Sequence, residues 1–155
     1  MEKSLILVKP DGVQRGLIGE IISRFERKGL KLVGLKMMNV TDTLLESHYA
    51  HLADKPFFGE IKDYLKGSPI IAMAWEGGKG SVDAIRILVG PTRGHEAPAG
   101  TIRGDFGLSI ANNIVHASDT IENGDVEVAR FFDENEIFKY DKTEYIHVYG
   151  RELEK

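Results

Sequence analysis

The chain has no cysteine, which excludes a disulfide framework and any thiolate metal site and fits a reducing compartment. Long apolar runs are missing too. Leu5 to Val8 falls far short of the ~18 residues of a membrane span and lacks a signal-peptide layout, so no membrane association is expected and the cytoplasm is the expected location. An excess of positive charge is lacking: 20 lysines and arginines against 24 acidic residues give a formal net charge of −4, which argues against a broad face for nucleic acid or anionic lipid. Any bound phosphate must therefore meet local cations, and Lys9, Arg86, Arg93 and Arg103 are the candidates. Internal repeats, low-complexity tracts and domain boundaries are also lacking. Residues 1–155 are accordingly read as one domain, whose 42% hydrophobic content suffices for a sizeable core.

What is present reads as alternating strands and helices. Ser4 to Lys9 carries Leu5, Ile6, Leu7 and Val8 without alternation, as expected of a central strand buried on both faces. It stops at the turn sequence Lys9-Pro10-Asp11-Gly12. Leu17, Ile18, Ile21, Ile22 and Phe25 recur at helical spacing, and Gly29 suits a left-handed cap. Leu30 to Val40 reads as a second strand. Thr41 or Asp42 caps a helix through Leu52, and Pro56 starts another through Gly67, giving a helical hairpin with the adjacent aromatics Phe57 and Phe58 at its elbow.

Pro69 to Trp75 is a third buried strand, and Val82 to Val89 a helix. Between them Gly77-Gly78-Lys79-Gly80-Ser81 fails the phosphate-loop pattern, which needs Lys followed directly by Ser or Thr. From Thr92 to Ile110 no periodicity emerges, and a loop that long in a small domain carries function or disorder. A short fourth strand at Ile114 and Val115 precedes a helix capped by Asn123 that runs to Phe132. The tail from Asp133 is charged, yet its aromatics must cover something, and contacts between subunits suit them. The order gives an α+β domain of β-α-β-β-α-β topology: an antiparallel four-stranded sheet with helices on one face, an inserted helix hairpin and a long loop.

His116 stands where the apolar pair Ile114-Val115 gives way to the polar Ser118-Asp119, a place suited to displaying a reactive side chain. A neutral imidazole nitrogen can attack phosphorus directly. A dozen residues upstream, Gly100-Thr101-Ile102-Arg103-Gly104-Asp105-Phe106-Gly107 can bring backbone and a guanidinium close to a phosphate. The other histidines, His48, His51, His95 and His147, have no partner at metal-ligand spacing and are read as structural or surface residues.

Several segments together resemble the nucleoside diphosphate kinases: Val8-Lys9-Pro10-Asp11-Gly12-Val13-Gln14-Arg15-Gly16, Pro56-Phe57-Phe58, Gly100 to Phe106, and Asn113-Ile114-Val115-His116-Ala117-Ser118-Asp119. The resemblance implies a ferredoxin-like subunit that transfers the γ-phosphoryl group of a nucleoside triphosphate to a nucleoside diphosphate through a phosphohistidine, with Mg2+ carried by the nucleotide phosphates and no direct metal ligand. It implies His116 as nucleophile, and Arg86, Arg103, Thr92 and Lys9 around the phosphates, with Lys9 also reaching the sugar. Asn113 would meet the ribose, Phe57 the base, with Ile110 opposite, and Tyr49 would stand near the phosphohistidine. Ser118 and Glu127 would hold the imidazole so that Nδ1 faces phosphorus. Assembly into hexamers or tetramers built from dimers is implied as well. The chain departs from the family pattern at Thr92-Arg93-Gly94, where the family has Thr-Asn-Pro, and at Ala99-Gly100, where it has Pro-Gly; Arg93 is assigned to solvent.

Two other functions compete with this one. A ferredoxin-like binding module would need exposed aromatics on its central strands and a positive face, and both are lacking here. A phosphohistidine carrier serving proteins would be inactive toward free nucleoside diphosphates.

Overall fold

Strand β1, Glu2–Val8, lies inside a four-stranded antiparallel sheet of order β2-β3-β1-β4. β2 is Lys31–Met38, β3 is Ile70–Gly77 and β4 is Val115–Ala117. The computed structural model describes residues 1–150 and Glu152. Because β1 and β3 are covered on both faces, their apolar residues run continuously instead of alternating with polar ones. Ile6, Val8, Met73 and Trp75 enter one core, and Leu5, Leu7, Ala72 and Ala74 the other. That alternation of direction along β1 sets the direction of the strand beside it. In the β1–β4 ladder Leu7 pairs with His116, so the histidine projects on the same side as Leu7, toward the second core.

The first core is closed by α2 (Ile18–Arg27) and α5 (Ser81–Val89) through Ile21, Phe25, Ile85 and Val89. Between β1 and α2 stands the one-turn α1 (Pro10–Gln14), with Pro10 at its first position where the missing N–H is not needed. The turn expected at Lys9-Pro10-Asp11-Gly12 is therefore a helix start. Gly29 ends the α2 segment at φ +97°, the left-handed conformation anticipated for it. The second core is closed by the inserted pair α3 (Asp42–His48) and α4 (Phe58–Lys66), and by α7 (Ile121–Phe131). Helices thus cover both faces. The expectation of one face holds only for α2 and α5, because the inserted hairpin and the last long helix need the opposite side to bury Leu45, Leu65, Val128 and Phe131.

Several boundaries differ from those read in the sequence. α3 is capped by Thr41, whose hydroxyl accepts the Leu44 N–H, and it stops at His48 before a 3-10 turn at Ala50–Leu52. α4 begins at Phe58, which is buried, while Phe57 before it is exposed. The stretch Thr92 to Ile110 is no plain loop. It holds a 3-10 turn at Gly94–Glu96 and α6 (Ile102–Phe106), capped by Thr101. α7 starts earlier than expected, with Thr120 and not Asn123 at its cap; Asn123 gives its backbone N–H to Thr120 and its side-chain amide to Asp119.

The aromatic tail lies across the strand ends of its own chain. Tyr140 donates to the Leu32 carbonyl at 2.7 Å, and Tyr145, in α8 (Tyr145–Tyr149), to the Glu76 carbonyl at 3.1 Å. The hydroxyl of Tyr149 accepts the Gly78 N–H at 3.0 Å. Arg151 and residues 153–155, the end of that tail, lie outside the described residues.

Candidate active site

Ile114 has φ +73°, a conformation that β-branched residues avoid. It is held there from both sides. The Asp11 carboxylate accepts the Ile114 N–H at 3.0 Å and also the Tyr64 hydroxyl, while the Lys9 N–H donates to the Ile114 carbonyl at 2.8 Å. The kink lets Asn113, buried, and His116, on β4, face the same cleft. Gly12 belongs to the same arrangement: a Cβ there would stand 3.1 Å from the Ile114 carbonyl oxygen and 2.7 Å from Val8, so a side chain would press directly on the strained residue.

His116 Nε2 lies 2.9 Å from Glu127 Oε2 on α7. Ser118 donates to the same oxygen at 2.6 Å and accepts the Leu5 N–H at 2.9 Å. Ser118 therefore ties the carboxylate to β1 and does not touch the imidazole, whereas Glu127 touches both. Burial alone would raise the Glu127 carboxyl, but the bond to His116, its charge and the Ser118 hydroxyl outweigh this and hold it below the ordinary carboxylate value. An ionised acceptor on Nε2 places the ring proton there and leaves Nδ1 with a bare lone pair.

Cations line the cleft. Lys9 donates to Asn113 Oδ1 at 2.8 Å, and the other end of that amide donates to the Thr92 carbonyl at 3.0 Å. Burial, then the Arg103 charge, lowers the Lys9 ammonium to about 8, with Asp11 opposing. Arg103 is 4% exposed and donates to the carbonyls of Asn113, Gly90 and Val115 at 3.2, 2.9 and 2.7 Å. Three of its five N–H groups thus brace the chain, leaving two for a ligand. Burial brings it down to about 10, so it stays charged near neutrality. Arg86 donates to the Ala117 carbonyl at 3.3 Å, so it lies at the site and not on the solvent side of α5.

His48, read from the sequence as structural or superficial, is buried against His116 with ring centroids 4.6 Å apart. His48, His116 and Glu127 offer ligand atoms within 4.8 Å of one another, a partnership between distant segments that sequence spacing could not show. Most of these atoms already have other partners, however. His48 Nδ1 faces the Arg130 guanidinium at 3.2 Å, and Glu127 Oε2 serves both His116 and Ser118. Of the remaining histidines, His51, His95 and His147 are exposed. Arg93 is largely exposed and pairs with Glu96 at 3.3 Å, in keeping with its assignment to solvent.

The cleft has a volume of about 710 Å3 and is lined by Lys9, Tyr49, Arg86, Thr92, Arg103, Asn113, His116 and Glu127 together with His48, Asn123 and Arg130. Burial pushes the Tyr49 hydroxyl well above its ordinary value, so it remains a neutral donor. Phe57 and Ile110 are exposed and lie outside this lining, and Ser118 is buried behind it. Sequence reasoning missed His48, Asp11 and Arg130. Asp11 sits within the Lys9-Pro10-Asp11-Gly12 motif and could have been suspected there, and His48 directly precedes Tyr49; nothing near Arg130 announces a role.

A ferredoxin-like α+β fold with a carboxylate-anchored histidine in a cleft lined by cations defines a protein built to handle phosphate groups. Comparison with known proteins narrows this. The nucleoside diphosphate kinase family model matches residues 2–137. A nucleoside diphosphate kinase of Bacillus cereus is 53% identical over 142 residues, 92% of this chain and 95% of that protein. The Archaeoglobus fulgidus enzyme is 47% identical over 96% of this chain and 98% of its own. Among solved structures, the halophilic nucleoside diphosphate kinase of Halobacterium salinarum in complex with CDP superimposes with a TM-score of 0.91 at 43% identity, covering 96% of this chain and 98% of that one. A family protein from Babesia bovis gives 0.92 at 44% identity, covering 96% and 100%. The chain belongs to the nucleoside diphosphate kinase family, enzymes that move a γ-phosphoryl group between nucleotides by a ping-pong route through a phosphohistidine.

Proposed function

We propose that His116 is the phosphorylated residue. The observation carrying this is the 2.9 Å contact between its Nε2 and Glu127, which parks the ring proton on one nitrogen and frees the other. In the first half-reaction the Nδ1 lone pair attacks the γ-phosphorus, the N–P bond forms, and the bond to the β,γ-bridging oxygen breaks with its electron pair leaving on the nucleoside diphosphate. The second half-reaction runs this in reverse onto another nucleoside diphosphate. Glu127 stabilises the positive charge that grows on the ring, and Ser118 keeps the carboxylate in place.

The remaining roles follow the cleft. Arg86, Arg103 and Thr92 surround the transferring phosphoryl oxygens, Tyr49 donates toward the phosphohistidine, and Lys9 adds a point charge while reaching the sugar hydroxyls. Asn113 offers its amide to the ribose 3′ oxygen. Phe57, exposed just before α4, stacks on the base with Ile110 opposite. Mg2+ would arrive bound to the nucleotide phosphates and would neutralise part of their charge. An all-oxygen cage is what Mg2+ prefers, and the His48–His116–Glu127 trio supplies two ring nitrogens instead.

The whole chain acts as one domain, in the cytoplasm, as a homo-oligomer of hexameric or tetrameric type assembled from dimers. Among the described residues no helix is long and apolar enough to cross a membrane. Nucleoside di- and triphosphates are its partners, and no specific nucleic acid is among them. The test is a chase: enzyme labelled by γ-labelled ATP should lose its label to added nucleoside diphosphates, producing labelled triphosphate. Label that stays on the protein, or moves only to another protein, supports the carrier reading instead.

A further inference from the structure

His48 is a buried histidine, 5% exposed, and phosphoryl transfer through His116 gives it no direct task. Its ring is walled by three others, each nearly perpendicular to it: His116 at 4.6 Å between centroids and 77°, Tyr49 at 4.6 Å and 76°, and Phe131 at 5.0 Å and 83°. Arg130 Nη1 lies 3.2 Å from His48 Nδ1. A guanidinium can only donate, so Nδ1 must be the bare acceptor and the proton must sit on Nε2. That Nε2 has no hydrogen-bond partner among the described residues and is shut off from solvent. A buried donor left unpaired costs stability, so its retention calls for a reason. An imidazole perpendicular to three aromatic neighbours is held as an edge-to-face wall.

The charged and titratable groups around His48 are His116 on β4, Glu127 and Arg130 on α7, His51 in the 3-10 turn, and its own neighbour Tyr49 after α3. Burial, then His116, Arg130 and His51, push it down to about 3 against the opposing pull of Glu127. The ring is therefore held neutral near neutral pH. A cation in its place would compete with His116 for Glu127.

We propose that His48 is a positioning residue for phosphoryl transfer: a neutral ring, its tautomer fixed by Arg130, that stands edge-to-face with His116 and keeps it seated on Glu127 with Nδ1 toward the cleft. This rests on the assignment of His116 as nucleophile. Glu127 fixes one atom of the ring, and a single hydrogen bond leaves rotation about the Cβ–Cγ bond; the perpendicular neighbour blocks that rotation. Without it the imidazole can leave the carboxylate, expose Nε2 and present the wrong nitrogen.

The test combines nitrogen NMR of the parent enzyme with phosphorylation of two variants. In the parent, His48 should show the neutral Nε2–H tautomer and no titration between about pH 5 and 8. His48→Ala should phosphorylate about 10- to 100-fold more slowly with nucleotide affinity unchanged. Its phosphoprotein should also show phosphorus signals from both Nε2- and Nδ1-linked histidine, where the parent shows one. His48→Phe, which keeps the planar wall, should recover most of the rate and the single signal. A parent His48 that titrates in that range, or carries its proton on Nδ1, overturns the proposal whether or not the variants fold. So does a folded His48→Ala with the parent's rate and one linkage. A parent that forms no phosphohistidine at all overturns the His116 assignment instead, so the two failures are distinct.

Discussion

Glu127 and Lys9 carry the sharpest residue-level consequences. Glu127→Gln keeps a group that can hold the ring but loses the negative charge that stabilises it during attack. Pre-steady-state phosphorylation by ATP should slow about 10- to 1,000-fold, on the order of 1 to 4 kcal/mol, while nucleotide affinity barely moves. A rate equal to the parent's would leave the Glu127 contact without a catalytic role. Lys9 gives a pH signature. Its folded value, lowered to about 8, lies below the ordinary 10.5, so the fold disfavours the ammonium at lower pH and regains that difference as pH rises from about 8 toward 10.5. In the folded free enzyme the cation is lost around pH 8, so kcat/KM should fall with an alkaline limb near 8, and Lys9→Arg should shift or abolish that limb. His116, Lys9, Arg103 and Asn113 were legible as candidates because they stand in sequence motifs; the fold brings them to one cleft, together with Thr92 from a segment that departs from the family pattern. Ser118 was legible as a member of the site, but not its partner: a serine two residues from a histidine in a strand is too close in sequence to reveal that it faces Glu127 instead. His48 was not legible, because its partners lie 68 and 82 residues away on β4 and α7.

At the level of elements, the placement of α7 controls Glu127. Gly124, one turn earlier, faces β1 so closely that a Cβ would stand 2.0 Å from the Lys3 carbonyl oxygen. Gly124→Ala should therefore push the helix off the strand, costing about 1–3 kcal/mol of stability. Activity should fall with it, because the shift moves Glu127 relative to His116. A variant that melts and turns over like the parent would show that α7 can yield without disturbing the pair. The four strands were readable because burial on both faces makes β1 and β3 unbroken apolar runs. The helix starts were less readable. Asn123 and Thr120 are both good caps, and only the backbone path, with the Asn123 N–H on the Thr120 hydroxyl, distinguishes them. α6 was hidden because its five residues include Gly104 and show no apolar period.

For the whole molecule, the aromatic tail suits subunit contacts by composition, yet its hydroxyls reach the β2 and β3 carbonyls and the Gly78 N–H of the same chain. Truncation from Tyr145 onward should lower the melting temperature by several degrees, about 1–2 kcal/mol; an unchanged melting curve would show that the Tyr145 and Tyr149 contacts contribute nothing. The proposed stacking of the base on Phe57 would give broad specificity, since any flat ring stacks. Specificity constants for the guanine, adenine, uracil and cytosine diphosphates should lie within about a thousandfold, equal to ~4 kcal/mol, and a wider spread would require a polar reading of the base edge. The central claim is that one imidazole nitrogen of His116 carries the phosphoryl group while the other rests on Glu127. Its most direct test is to label the enzyme with γ-labelled ATP and map the label by mass spectrometry and phosphorus NMR. The prediction is one acid-labile, alkali-stable phosphoryl group per chain, on His116 Nδ1, and none in His116→Ala. Label on another residue, label on Nε2, or label that persists in His116→Ala would contradict it.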